Sequence, residues 1–160
     1  MTNAFIVGSK RTAFGSFGGK LSNITAAQLG GYAAKAALAQ LPANTPVSST
    51  VFGVVAHTDH TAPYTSRHVG HYAGLPINVP ALTINRLCGS GFQAVINAIH
   101  EIKVGDSDVV LTGGTENMSM SPYTLHGVRF GNTRYGVDRK LVASVAIALL
   151  DPVPVPTPMG

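Results

Sequence analysis

One side chain stands apart for reactivity: Cys88, the only cysteine in the chain. It lies in ALTINRLCGSGFQAV, residues 81–95, where an apolar run gives way to glycines and a new apolar period begins. A strand that runs into a helix leaves the residue between them at the helix start, where unpaired N–H groups and the dipole favour an anion. A thiol placed there is favoured as thiolate, its nucleophilic form. Gly89 and Gly91 allow a tight turn and let a ligand approach the backbone. The carboxyl end of a strand in an open parallel sheet is also where such folds take their ligands. The competing reading is a free cysteine buried as a small hydrophobe, and on chemistry alone both stay open. Ser90 is a weaker nucleophile candidate, because Cys88 and Phe92 hold the two glycine places of a Gly-x-Ser-x-Gly elbow.

Other groups carry less. HTDH at 57–60 and HVGH at 68–71 gather histidines and a carboxylate, but in no recognised ligand order, so solvent-facing or interface histidines are expected and no metal. The glycine-rich stretches GSFGG (15–19) and LTGGTEN (111–117) match neither a Walker loop nor Gly-x-Gly-x-x-Gly; they read as turns that line the Cys88 corner. Lys10 and Arg11 read as structural or interfacial, with a phosphate contact as the alternative. Glu101, Asp106 and Asp108 surround a turn, the ordinary place for solvated acids. Glu116 follows an apolar strand and reads as the acceptor of a structural hydrogen bond.

The elements that must position these groups follow from periodicity. AFIV (4–7) reads as a first strand, TVFGVVAH (50–57) as a second, ALTIN (81–85) as a third and DVVLTGG (108–114) as a fourth. Between them, Thr25 with Gln28 forms a capping box ahead of a helix whose repeat is Leu29, Tyr32, Ala33, Ala36 and Ala37. Residues 65–75 suit a short helix. After Cys88, residues Phe92, Val95, Ile96, Ile99 and Ile102 mark one helical face. This alternation predicts an α/β fold, a mostly parallel sheet with helices on both faces. Residues 1–121 read as that domain. Residues 122–160 read as the start of a loop region ending in a proline-rich tail, with prolines at 152, 154, 156 and 158.

Composition bounds the rest. A 45% hydrophobic content supports a substantial core, and 11% charged residues is too few for a disordered polyampholyte. The net charge of +4 comes without any basic block, which speaks against nucleic acid and fits an anionic small molecule or plain solubility. A single cysteine forbids an internal disulfide and suits a reducing compartment. No cleavable leader is evident, and no apolar run reaches membrane-spanning length.

The motifs also resemble a known family. NRLCGSGFQAV is similar to the acyl-intermediate signature of the thiolases, and KRTAFGSFGG, SRHVG, GGTENMSMSPY and VRFG agree in order and spacing over residues 4 to about 138. The resemblance is to the mitochondrial 3-ketoacyl-CoA thiolase branch. It implies a thiolase-like N-terminal half, in which Cys88 forms an acyl-enzyme thioester during cleavage or Claisen formation of 3-oxoacyl-CoA. It further implies that the Cys88 backbone N–H helps to form an oxyanion hole, with Gly89 and Gly91 lining the acyl space. Acyl-CoA and CoA would be substrates, with no tightly bound cofactor. It implies a homo-oligomer and a mitochondrial location, with cytoplasmic as the alternative.

Thiolases carry a second half with an Asn-Glu-Ala-Phe segment, a Gly-His-Pro histidine and a second cysteine, and none of these occurs in these 160 residues. The expectation is therefore an incomplete, catalytically deficient portion. The alternative is a non-catalytic chain that acts only by association. A ketoacyl synthase, which also uses a strand-to-helix cysteine, is the nearest enzymatic rival; CGSG and GGTENMS favour the thiolases.

Overall fold

The computed structural model describes residues 3–131, 140–151 and 157–158. The α/β expectation is met in a three-layer body. Helix α1 (Ala26–Leu38) leads to strand β1 (Ser49–Gly53), helix α2 (Thr65–Ala73), strand β2 (Ala81–Ile84), helix α3 (Ser90–Val104) and strand β3 (Val110–Gly114). The sheet order is β2-β1-β3, and both pairings are parallel. Gly53 stands opposite Ile84 on one side and Gly114 on the other, so the three carboxyl ends finish level.

Every residue of β1 is buried, as expected of a central parallel strand covered on both faces. On one face Phe52 and Leu111 pack with Ala34 of α1 and with Val69 and Ala73 of α2. Polar groups stitch the same layer: Ser66 Oγ donates to Thr50 Oγ1 at 3.1 Å, and the Ser66 N–H donates to Thr83 Oγ1 at 3.0 Å. These buried hydroxyls therefore satisfy one another rather than standing alone. Helix α3 packs on β1 and β3 from the opposite face.

Helix α1 starts as its capping box dictates: Thr25 Oγ1 accepts from the Gln28 N–H at 3.2 Å, and Gln28 Oε1 accepts from the Thr25 N–H at 3.0 Å. Glycines in the left-handed region end the other two helices, Gly74 at φ +92° and Gly105 at φ +86°.

Three expectations are corrected. Residues 4–7 form no strand, and Phe5, Ile6 and Val7 are exposed. An apolar β-branched run becomes a strand only where an edge receives it, and no described strand pairs with this one. On α1, Leu29 is buried as expected, together with Ala26, Ala27, Gly30, Gly31 and Ala34, whereas Tyr32 and Ala36 of the expected face are exposed. On α3, it is Ser90, Ala94 and Ala98; Phe92 is 80% exposed and Ile96 is exposed as well. Size explains the shift on α3, where close contact with the sheet selects small residues; on α1 the buried stripe is turned toward Gly30 and Gly31, where a Cβ would meet Val69 and Tyr72 of α2.

Beyond Ser121, strand β4 (Tyr123–Thr124) pairs with β5 (Val142–Ala143), short helix α4 (Ser144–Ala148) follows, and β6 (Leu150–Asp151) pairs with β7 (Thr157–Pro158). Pro152, Pro154 and Pro156 of the expected proline-rich tail lie outside the described residues. Among the described residues, no helix is long and apolar enough to cross a membrane.

Candidate active site

Cys88 is exposed, which removes the buried-hydrophobe reading. It sits in a five-residue corner, Asn85 to Gly89, between the end of β2 and the first residue of α3. Gly89 is the N-cap of α3 and no side chain caps that helix, so its first turn keeps N–H groups free of side-chain partners. The corner is tight. Leu87, next to the thiol, has φ +49°, a left-handed conformation rare for a side chain of its size. Its N–H donates to Asn85 Oδ1 at 2.9 Å. Its carbonyl accepts from the Ser90 N–H at 3.0 Å and from Ser90 Oγ at 2.6 Å.

Ser90 thus has a role other than that of a nucleophile. Its hydroxyl proton is committed to the Leu87 carbonyl, its oxygen accepts from the Arg86 N–H at 2.8 Å, and the residue is buried. Beneath it, a Cβ built on Gly53 would stand 2.6 Å from the Ser90 carbonyl carbon. A Cβ on Gly114 would stand 3.3 Å from Gly91 Cα. The helix start can rest this low on the sheet because both strands end in glycine.

Cys88 lines a cavity of about 680 Å³ together with Leu87, Ser90 and Gly91. The other walls come from two glycine-rich loops, from Val54 to Ala56 after β1, from α1 and from α4. Gly15 and Phe17 represent the first glycine-rich loop, and Gly114 to Asn117 the second. The two loops are joined by the Gly18 N–H donating to Ser119 Oγ at 2.9 Å. Lys10 and Arg11 belong to the same wall. The Arg11 guanidinium lies 4.6 Å from the centre of the Phe14 ring and donates to the Thr12 carbonyl at 2.9 Å. Gly91 is on the wall; Gly89 lies beneath it as the N-cap and is not among the lining residues.

The second loop is held by two neighbouring residues. Glu116 Oε2 accepts from the Val55 N–H at 2.8 Å and from the Ala56 N–H at 3.2 Å, the structural role expected of it. Asn117, only 7% exposed, donates through Nδ2 to the carbonyls of Leu21, Ser22 and Ile24 at 3.3, 3.0 and 2.7 Å. Its Oδ1 accepts from the Ser119 N–H at 3.0 Å. The sequence reading missed Asn117, Asn85 and the part played by Ser90. For Asn85 a local signal existed, since asparagine commonly accepts from the amide two residues on. For Asn117 the same local signal covers only its bond from the Ser119 N–H; the three carbonyls that Nδ2 reaches lie more than 90 residues away and left no sign in the sequence.

The histidines stand elsewhere. None of the six lines the cavity with Cys88. Among the described residues, HTDH and HVGH do not converge into a group of three or more ligating side chains. His68 instead stacks with Tyr64, ring centres 6.1 Å apart.

The family model for the thiolase N-terminal domain matches residues 4–153. The chain belongs to the thiolase family. It is 48% identical over 152 residues to the human mitochondrial 3-ketoacyl-CoA thiolase, covering 94% of this chain and 38% of that one. With a beta-ketothiolase of Cupriavidus necator it shares 43% over 148 residues, covering 92% and 37%. The crystal structure of the human mitochondrial 3-ketoacyl-CoA thiolase in complex with CoA superposes with a TM-score of 0.86 at 49% identity, covering 92% of this chain and 37% of that one. The chain thus spans about two-fifths of the length of these thiolases. The expectation of a thiolase-like N-terminal half is met in both sequence and fold.

Proposed function

We propose that Cys88 is the acyl-accepting nucleophile of a thiolase-type acyltransferase acting on 3-oxoacyl-CoA and acyl-CoA thioesters. One observation carries the reading: an exposed thiol at the uncapped start of α3 opens into a cavity large enough for an acyl chain. The Cys88 thiolate adds to the carbonyl of an acyl-CoA, the C–S bond to CoA breaks, and CoA leaves as its thiolate. With a 3-oxoacyl-CoA, the thiolate adds to the 3-oxo carbon. The bond between carbons 2 and 3 then breaks, and the departing acetyl-CoA carbanion takes a proton. Either route leaves an acyl thioester on Sγ, which splits one difficult displacement into two easier ones.

The Cys88 N–H serves as a backbone donor for the oxygen that becomes negative during attack. Gly91 keeps space open beside it, since a Cβ there would meet nothing within 4 Å. Gly89 serves the same space indirectly, by letting the chain turn into α3. Lys10 and Arg11 bring positive charge to the cavity wall, which suits a phosphate-bearing thioester. No tightly bound cofactor takes part.

The division of the chain belongs to the same proposal. Residues 1–121 form the catalytic-cysteine domain, and 122–160 begin a region that covers the substrate. These 160 residues supply no second cysteine, and no histidine faces the cavity, so they acylate without sustained turnover. The location is mitochondrial, as the kinship with mitochondrial thiolases supports, and the assembly is a homo-oligomer.

A second reading, a non-catalytic chain that acts by association, draws on the exposed Phe92, Ile96 and Leu82 of α3 and β2. One experiment separates the two. Incubation with acetyl-CoA gives one acetyl group on Cys88 by mass spectrometry, one equivalent of free CoA thiol, and neither in Cys88→Ser. Absence of acylation in a chain whose thiol still reacts with iodoacetamide leaves the association reading.

A further inference from the structure

We infer that Ser90 and Asn85 are positioning residues that hold Leu87 in its left-handed conformation and thereby aim Cys88. Their purpose rests on the acyl-transfer reading above; their geometry does not. A leucine at φ +49° persists only where its surroundings enforce it. Core packing does not enforce it here, because the Leu87 side chain is 50% exposed.

The restraint comes from hydrogen bonds on both sides of the residue. Asn85 Oδ1 takes the Leu87 N–H, and Ser90 takes the Leu87 carbonyl through both its N–H and its hydroxyl. The same hydroxyl oxygen holds the Arg86 N–H, so one buried side chain ties the 85–86 and 87–88 peptides to the base of α3. Asn85 is itself anchored, its Nδ2 donating to the Val55 carbonyl at 3.3 Å. Glu116 fixes Val55 in turn through the Val55 N–H. A continuous set of bonds therefore runs from the second glycine-rich loop, through the end of β1, to the residue before the thiol.

Leu87 sets the plane of the peptide that carries the Cys88 N–H. If that peptide rotates, the donor and Sγ no longer address the same carbonyl, although the thiol stays exposed. A small electrophile that needs no oriented donor is indifferent to this, whereas an acyl thioester is not.

The test uses this chain with Ser90→Ala, Asn85→Ala and Asn85→Ser. Four quantities are read: the Leu87 amide-to-α-proton coupling by NMR, acetylation of Cys88 by acetyl-CoA, its alkylation by iodoacetamide, and the melting temperature. Ser90→Ala and Asn85→Ala are expected to shift the coupling and to slow acetylation by about tenfold or more. Alkylation should stay within about threefold, because the thiol remains accessible. Asn85→Ser should recover most of the acetylation rate, as a hydroxyl oxygen can also accept from the amide two residues on. An unchanged Leu87 coupling in Ser90→Ala overturns the inference. So does a parallel fall of both rates with the melting temperature, the mark of a merely structural role. If the parent chain is alkylated but never acetylated, the acyl-transfer reading fails instead, and the Leu87 coupling alone decides whether the two residues position the thiol.

Discussion

The two faces of the sheet are built by opposite rules. On the α1–α2 face, side chains close the space: Phe52, Val69 and Leu111 meet Ala34 and Ala73, and the hydroxyls of Thr50 and Ser66 pair off. On the α3 face, contact rests on small groups, Gly53 and Gly114 from the strands and Ser90, Ala94 and Ala98 from the helix. Large apolar residues of α3 remain outside, Phe92 most of all. Against the sheet, one face is closed by bulk, and glycines set the distance only between α1 and α2. The other face is drawn close by the lack of bulk, and that closeness brings the Cys88 corner down to the level of the strand ends. Stability should therefore concentrate on the first face and positioning on the second.

The strongest test of that division is Gly31→Val on α1. Even a methyl group at Gly31 would collide with Tyr72 Cβ, and a Cβ on Gly30 would stand 2.8 Å from Val69 Cγ2. A loss of about 3 kcal/mol is expected in a urea titration. Gly91→Ala, on the other face, has open space around the new methyl and should stay within about 0.5 kcal/mol. Equal losses at the two glycines would erase the distinction.

Next comes Asn117→Asp, at the seam where the second glycine-rich loop grips the approach to α1. The change removes the amide that three carbonyls share and sets a carboxylate against them. Removal of a buried donor from its acceptors should cost about 2 kcal/mol. Hydrogen exchange should quicken for the Ser119 amide, whose acceptor is Asn117 Oδ1. Unaltered exchange there would mean that the loop is held by other contacts. The smallest effect belongs to Thr25→Ala, which opens the capping box at the start of α1. About 1 kcal/mol should be lost, with faster exchange confined to the first turn of α1.

The sequence made the two faces readable in an uneven way. Thr25 with Gln28 declared the start of α1, because both partners of the box lie within one turn. The thiol was placed at its corner by the apolar run before it, the glycines around it and the period after it. What failed were inferences that need a neighbour. Residues 4–7 have strand composition, but composition does not supply an edge to pair with. The apolar repeat of α3 reported Phe92 and Ile96, whereas the structure buries Ser90, Ala94 and Ala98; the repeat of α1 placed Leu29 inside but missed Gly30 and Gly31, since the distance to the neighbouring element and not hydrophobicity sets that choice. Asn117 was invisible for a related reason: its value lies in three carbonyls that only the folded chain brings near. The left-handed Leu87 is the reverse case, a residue whose type argues against the conformation it holds.

The parallel pairing of all three strands has a temporal consequence. No hairpin can seed this sheet. Thr50 must find Ala81 across α2, and Ser49 must find Val110 across α2, β2 and α3. Such distant closures fold slowly. On a ribosome, β1 would wait for β3 until the last of the three has cleared the exit tunnel, and only then would the glycine floor under the thiol be complete.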